Sequence, residues 1–234
     1  MNDLKTYFSE LTAYEGSPAR KLISPWSPEN IKSITNDFRA AANKCQVQFD
    51  VPAGISDSAL GNRVEKEAAN GFNKVLQRHS LSECPGKGYP DQLLRRLRDD
   101  HLFVFELKAK TSFDRTDANR IVLTSATGKL RRHFARTKPI CHLLATALFR
   151  RFRRGRHSRI VIVGLRLDFL LPSSPVLMRF EASVSKRLLI RGRHASRLLI
   201  PAWARRNPRR YHTSTFSAHR QFSPRRTVSR IESN

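Results

Sequence analysis

Apolar positions recur at helical spacing in the first third of the chain and at alternating spacing after it. Leu4, Phe8 and Leu11 form one short helical stripe, and Ile31, Ile34 and Phe38 form another. Between them, Gly16 to Pro28 carries three prolines and reads as a loop. Ser27-Pro28-Glu29 opens the second helix, because proline suits a first helical turn, and the pattern holds to about Lys44. Gln46 to Val51 alternates like a short strand, and residues 52–58 read as a turn. Residues 59–78 give the clearest amphipathic helix, with Leu60, Val64, Ala68, Phe72, Val75 and Leu76 on one side and Glu65 bordering that stripe.

Ser80 to Gly88 reads as a loop, Tyr89 to Leu94 as a short strand, and Arg98-Asp99-Asp100 as a turn. His101 to Ala109 is the stronger strand. Phe103, Phe105, Leu107 and Ala109 share one face, while Leu102, Val104, Glu106 and Lys108 share the other. The second face starts apolar and ends charged. Buried charge is costly unless it is paired or holds a metal, so this strand end needs a chemical reason. Further apolar runs follow at 120–125, 139–149 and 159–169, and residues 178–186 alternate. The run Leu148 to Arg159 (LFRRFRRGRHSR) breaks what otherwise reads as folded sequence. These segments predict an α/β fold: an N-terminal helical segment over 1–58, a core over 59–186 and an arginine-rich tail over 187–234, disordered from about residue 201.

Hydrolysis of a phosphodiester needs an activated water, a charge clamp on phosphorus and stabilisation of the leaving oxygen. A divalent metal held by carboxylates supplies all three. Mg²⁺ takes oxygen ligands and only one or two carboxylates. Pairing of the two strands through the 95–101 turn brings Asp91 beside Glu106, and Lys108 shares the face of Glu106. Thr127-Gly128-Lys129-Leu130 is not a phosphate loop, since Leu123 stands where the first glycine belongs and Leu130 where the hydroxyl residue belongs.

Pro90-Asp91, Glu106-Leu107-Lys108 and the preceding helix with Glu65 resemble the PD-(D/E)xK nuclease superfamily, most closely type II restriction endonucleases. The resemblance covers roughly residues 59–125. It implies a restriction-endonuclease-like mixed central sheet flanked by helices. It implies metal ligation by Asp91 and Glu106, with Glu65 as an auxiliary ligand, a catalytic Lys108 and Mg²⁺ as cofactor. It further implies sequence-specific cleavage of double-stranded DNA to leave 5′-phosphates, a homodimer reading a palindrome, and a companion DNA methyltransferase acting on the same site.

Charge strengthens the case for an anionic partner. The 234 residues carry a net charge of +25, and residues 139–234 hold 21 Lys/Arg against 3 Asp/Glu. Lys110, Arg120, Lys129, Arg131 and Arg132 follow the candidate site and are the expected DNA contacts. Three cysteines without a CxxC pair argue against a disulfide framework or a zinc ribbon and fit a reducing, cytoplasmic setting. No apolar run approaches the roughly 18 residues that cross a bilayer. The basic last third leaves three readings open: a nucleic-acid-binding tail, a region ordered only on DNA, or a frame disrupted by mutation in a degraded, inactive copy. The rival to an endonuclease is a non-catalytic, basic nucleic-acid-binding protein.

Overall fold

Two serines start the two long helices. The Ser27 hydroxyl accepts the Asn30 N–H at 3.2 Å ahead of α1 (Pro28–Lys44). The Ser56 hydroxyl accepts the Ala59 N–H at 3.3 Å ahead of α2 (Asp57–Asn73). Each satisfies an N–H that a helix start otherwise leaves unpaired, and Glu29 and Asp57 place a negative charge in the first turn. The computed structural model describes residues 3–6, 23–86, 89–111, 120–121, 140–174, 176–180, 186–190 and 195–211.

The strands are β1 (Gln48–Pro52), β2 (His79–Glu83), β3 (Gln92–Arg96), β4 (His101–Lys110), β5 (Arg120–Ile121), β6 (His142–Arg154), β7 (His157–Phe169), β8 (Val176–Phe180), β9 (Lys186–Ile190) and β10 (Ala195–Leu199). Seven of them form one mixed sheet in the order β1-β7-β6-β4-β3-β2, with β10 also paired to β7; β5, β9 and β8 form a second, three-stranded sheet. Neighbours in the large sheet run antiparallel except β4 and β6, which are parallel. The described residues therefore make a mixed α/β fold with few helices. Short helices α3 (Ala202–Arg205) and α4 (Pro208–Tyr211) follow β10.

Both long helices pack on the face of the sheet that carries Phe103, Phe105 and Leu107. Phe38 of α1 stacks on Phe105 with ring centroids 5.8 Å apart and meets Phe72 of α2 edge-on at 6.0 Å. Trp26 stacks on Phe103 and donates its indole N–H to the His142 carbonyl at 3.2 Å. Aromatic pairs of this kind add roughly 0.5–1.5 kcal/mol beyond the area they bury. The remaining face of β4 carries Val104, Glu106 and Lys108.

Several expectations need correction. His79–Glu83 is a strand rather than part of a loop, paired to β3 with Leu81 opposite Leu94. Only His79 and Leu81 turn inward, which is too little apolar signal to mark a strand at a sheet edge. β3 starts at Gln92, not Tyr89. The arginine run 148–159 does not interrupt the fold. It is the far end of a long β6–β7 hairpin, turned at Gly155, whose φ of 57° suits glycine. Nor is the segment through Tyr211 a disordered tail. Ala195–Leu199 pairs with Phe169–Leu165 of β7, and Ala204 and Tyr211 are buried. Residues 212–234 lie outside the described residues. The three cysteines are free. Among the described residues no helix is long and apolar enough to cross a membrane.

Candidate active site

The antiparallel register of β3 and β4 places Gln92 opposite Phe105, so the next step outward sets Asp91 beside Glu106. The contact is direct: the Asp91 N–H donates to Glu106 Oε2 at 3.1 Å. Lys108, two residues along the same face, puts Nζ 2.5 Å from Glu106 Oε1 and 3.8 Å from Asp91 Oδ2. One ammonium thus meets both carboxylates. Glu106 is 3% exposed, whereas the Asp91 side chain is 60% exposed, so the pair has a buried acid and a solvent-facing one.

β3 begins at Gln92, opposite Phe105, and among the described residues no strand pairs with that edge of β4 beyond this point. There the Ala109 N–H is taken by Glu65 Oε1 of α2 at 3.2 Å. An unpaired backbone donor this close to the core would be costly, so Glu65 closes the sheet edge with a side chain. The sequence-derived quartet therefore converges in part. Asp91, Glu106 and Lys108 touch one another, and Glu65 reaches the same strand through its main chain.

Electrostatics follow from burial. Desolvation pushes the Glu106 carboxyl up, and the Asp91 charge adds to this, against the pull of Lys108. Glu65 is raised by burial as well, with Lys108 opposing. Burial acts to lower Lys108, but attraction to Glu106 and then to Glu65 outweighs it and raises the ammonium above its ordinary value. Lys108 therefore stays charged.

Beneath the acids lies a pair the sequence did not flag. Tyr89 OH and His142 Nδ1 share a hydrogen bond of 2.7 Å, and their rings stack with centroids 5.8 Å apart. Both are buried, and burial, with Glu106 and Asp91 nearby, lifts the Tyr89 phenol well above its usual range. Tyr89 thereby anchors the backbone just ahead of Pro90-Asp91. The only sequence signal was a tyrosine beside a Pro-Asp pair.

A cleft of about 370 Å³ opens between α2 and the β2–β3 edge, lined by Glu65, Asn70, Asn73, Glu83, Asp91 and Gln92 among others. Gln92 Oε1 is buried there without a hydrogen-bond partner. Asp91 and Glu106 offer carboxylate oxygens, the ligand type a hard cation takes, and both face the Lys108 ammonium. Among the described residues no group of three or more His, Cys, Asp or Glu is placed to hold a metal ion.

Asp99 and Asp100 are removed from the site. They sit in the turn at the opposite end of β4 and pair with Arg96 and Arg95 at 2.6 and 2.7 Å. Of the expected DNA contacts, Lys110 ends β4 next to the site. Arg120 lies in β5, and its side chain is outside the described residues, as are Lys129, Arg131 and Arg132 altogether.

No protein-family model and no curated protein matches this chain. Among solved structures, the tetrameric restriction endonuclease SfiI bound to cognate DNA is similar at 10% identity and a TM-score of 0.40, covering 69% of this chain and 76% of that one.

Proposed function

We propose that the protein is a Mg²⁺-dependent DNA endonuclease of the type II restriction kind, with a restriction-endonuclease-like core. The observation that carries this reading is the meeting of Asp91, Glu106 and Lys108 at an open sheet edge beside a cleft. Asp91 and Glu106 would hold the metal, with Glu65 in support. When bound, Mg²⁺ supplies an acidified water and neutralises the phosphoryl oxygens. Within the chain, the Asp91 N–H fixes the orientation of Glu106. Lys108 supplies a permanent positive charge, able to hold the attacking water or the scissile phosphate by hydrogen bonds to its ammonium. Tyr89 and His142 hold the Pro90-Asp91 backbone from below. Cleavage of a specific sequence to leave 5′-phosphates, a homodimer, and a companion methyltransferase acting on the same site belong to this reading.

The test is direct. Purified protein is incubated with plasmid and Mg²⁺, and with EDTA in parallel. Defined fragments are expected with Mg²⁺ alone, and Lys108→Ala should abolish them while DNA binding persists. Equal cleavage by Asp91→Ala would overturn the assignment.

The second reading, a non-catalytic nucleic-acid-binding protein, draws on the net charge of +18 over residues 139–234. It expects sequence-indifferent, steeply salt-dependent binding with no metal requirement.

A further inference from the structure

The arginine-rich segment after β10 is folded onto the sheet, and its placement relative to the candidate site suggests a use. In-register strand partners share a face. Lys108 pairs with Thr146 and Lys110 with Leu148, so Leu148 lies on the face of Glu106 and Lys108. Leu148 belongs to a small core with Val161, Val163, Ala204 and Tyr211, against which Phe152 and Trp203 pack. Tyr211 meets Trp203 and Phe152 edge-on, at 5.3 and 6.2 Å. Helices α3 and α4 therefore cover the same side of the sheet that bears Glu106 and Lys108, four residues beyond Glu106 and two beyond Lys108, or roughly 13 and 7 Å further along the strand.

One side chain fastens this segment to the catalytic strand. Arg150 Nε donates to the Tyr211 carbonyl at 3.0 Å, and its Nη1 donates to the Thr111 carbonyl at 2.5 Å. Thr111 is three residues past Lys108, at most about 10 Å of extended chain. With its aromatic residues turned inward, the segment directs Arg205, Arg206, Arg209 and Arg210 to solvent, all four exposed. Residues 195–211 contain no Asp or Glu that could neutralise them locally.

We propose that α3 and α4 form a rigid shelf that grips the sugar-phosphate backbone of duplex DNA beside the candidate site, through Arg205, Arg206, Arg209 and Arg210. The inference rests on the nucleic-acid reading above but does not require cleavage. Arginine is suited to the task, because its fork donates two hydrogen bonds to one phosphate and is never deprotonated. The shelf is a poor fit to a membrane surface, since Trp203 and Tyr211, the side chains that would enter lipid, are packed against the sheet. Contacts of this kind position a substrate and carry no base information.

The experiment is fluorescence anisotropy with a labelled DNA duplex of mixed sequence in EDTA, titrated over a range of salt. It compares the full chain with a variant carrying Arg→Gln at all four positions, and with Arg205→Gln/Arg206→Gln. Each phosphate contact contributes roughly 0.9 to the slope of log K against log salt. The four-site variant should lose about 3–4 from that slope and at least tenfold in affinity at ~0.1 M salt, and the double variant about half the slope change. Circular dichroism melts should shift by no more than the loss of one exposed cation–π contact, Arg210 over the Tyr211 ring at 5.6 Å. An unchanged slope in the four-site variant overturns the shelf, as does absence of duplex binding by the unmodified chain. Stronger competition by duplex RNA or by anionic vesicles than by unlabelled DNA also overturns it. The unmodified chain is run in the plasmid assay in parallel, so a failure of the cleavage reading appears there and a failure of the shelf in the salt slope.

Discussion

The Asp91 N–H donates to Glu106 Oε2 at 3.1 Å, joining the two candidate acids through the backbone of one and the carboxylate of the other. Glu106 is thus oriented by a neighbour that remains in place whatever side chain stands at position 91. An Asp91→Ala substitution removes the carboxylate proposed to hold the metal and leaves this hydrogen bond intact. Its thermal stability should stay within about 0.5 kcal/mol of the unmodified protein, as for other exposed changes, while cleavage is lost. Melting curves beside plasmid assays check both halves.

Lys108 compensates a carboxylate that burial disfavours. Replacing it by Met leaves Glu106 without its nearest cation and should cost about 1–3 kcal/mol at pH 8. The sign of the pH dependence follows from the direction of the Glu106 shift. Its folded pKa is raised, so its contribution to stability is complete below the unfolded value and is lost as pH rises through the folded one. In Lys108→Met that loss is larger, so the deficit should narrow between pH 8 and pH 5. Urea denaturation at the two pH values measures it.

The same shift sets an expectation for activity. Glu106 must be ionised to hold a cation, and burial delays its ionisation to higher pH. Initial rates at subsaturating Mg²⁺, where metal and proton compete for Glu106, should therefore rise with pH beyond the usual carboxylate range before levelling. A rate already flat at pH 5 would contradict a role for ionised Glu106.

Asp37 offers an independent test of the core. Its carboxylate accepts the N–H groups of Gln77 and Arg78 at 3.1 and 3.0 Å and meets His79 Nδ1 at 2.9 Å. Burial acts to raise Asp37, but these hydrogen bonds, the one to His79 foremost, outweigh it and lower the pKa. That stability is present above the unfolded pKa and lost as pH falls through the folded one. Asp37→Asn should cost roughly 1.5–3 kcal/mol near pH 7, and the difference should shrink below pH 4. Chemical denaturation across this range is the measurement.

Gly71 lies inside α2, where alanine would ordinarily gain about 1 kcal/mol. A Cβ there would overlap Val47 Cγ2 of the chain entering β1. Gly71→Ala should therefore destabilise by about 1–3 kcal/mol, and adding Val47→Ala should recover part of the loss. A double-mutant cycle by urea denaturation measures the coupling.

The parts legible in the sequence were those whose periodicity is set by one large neighbour. α1, α2 and β4 each bury a stripe against the others, and Ile34, Phe38, Val64, Phe72 and Phe105 mark it. The convergence of Asp91, Glu106 and Lys108 could be read because strand register over a short turn is nearly forced by alternation. β2 could not be read, because an edge strand needs few apolar residues. The β6–β7 hairpin was hidden because its arginines do structural work that composition does not reveal: Arg151 donates to Ser158 and to the Ala53 carbonyl, and Arg159 pairs with Asp50. Composition alone casts such residues as solvent-facing charge. Tyr89 and His142 were missed because their pairing spans 53 positions.

One edge of β7 is completed by two short strands from distant parts of the chain, β1 along His157–Val161 and β10 along Leu165–Phe169, laid end to end. During synthesis the first of these emerges long before the second. Until the ribosome has delivered Ala195–Leu199, half of that edge offers bare amides and carbonyls to any passing strand. Nascent chains stalled before this point should be captured by holdase chaperones, whereas those a few dozen residues longer should escape.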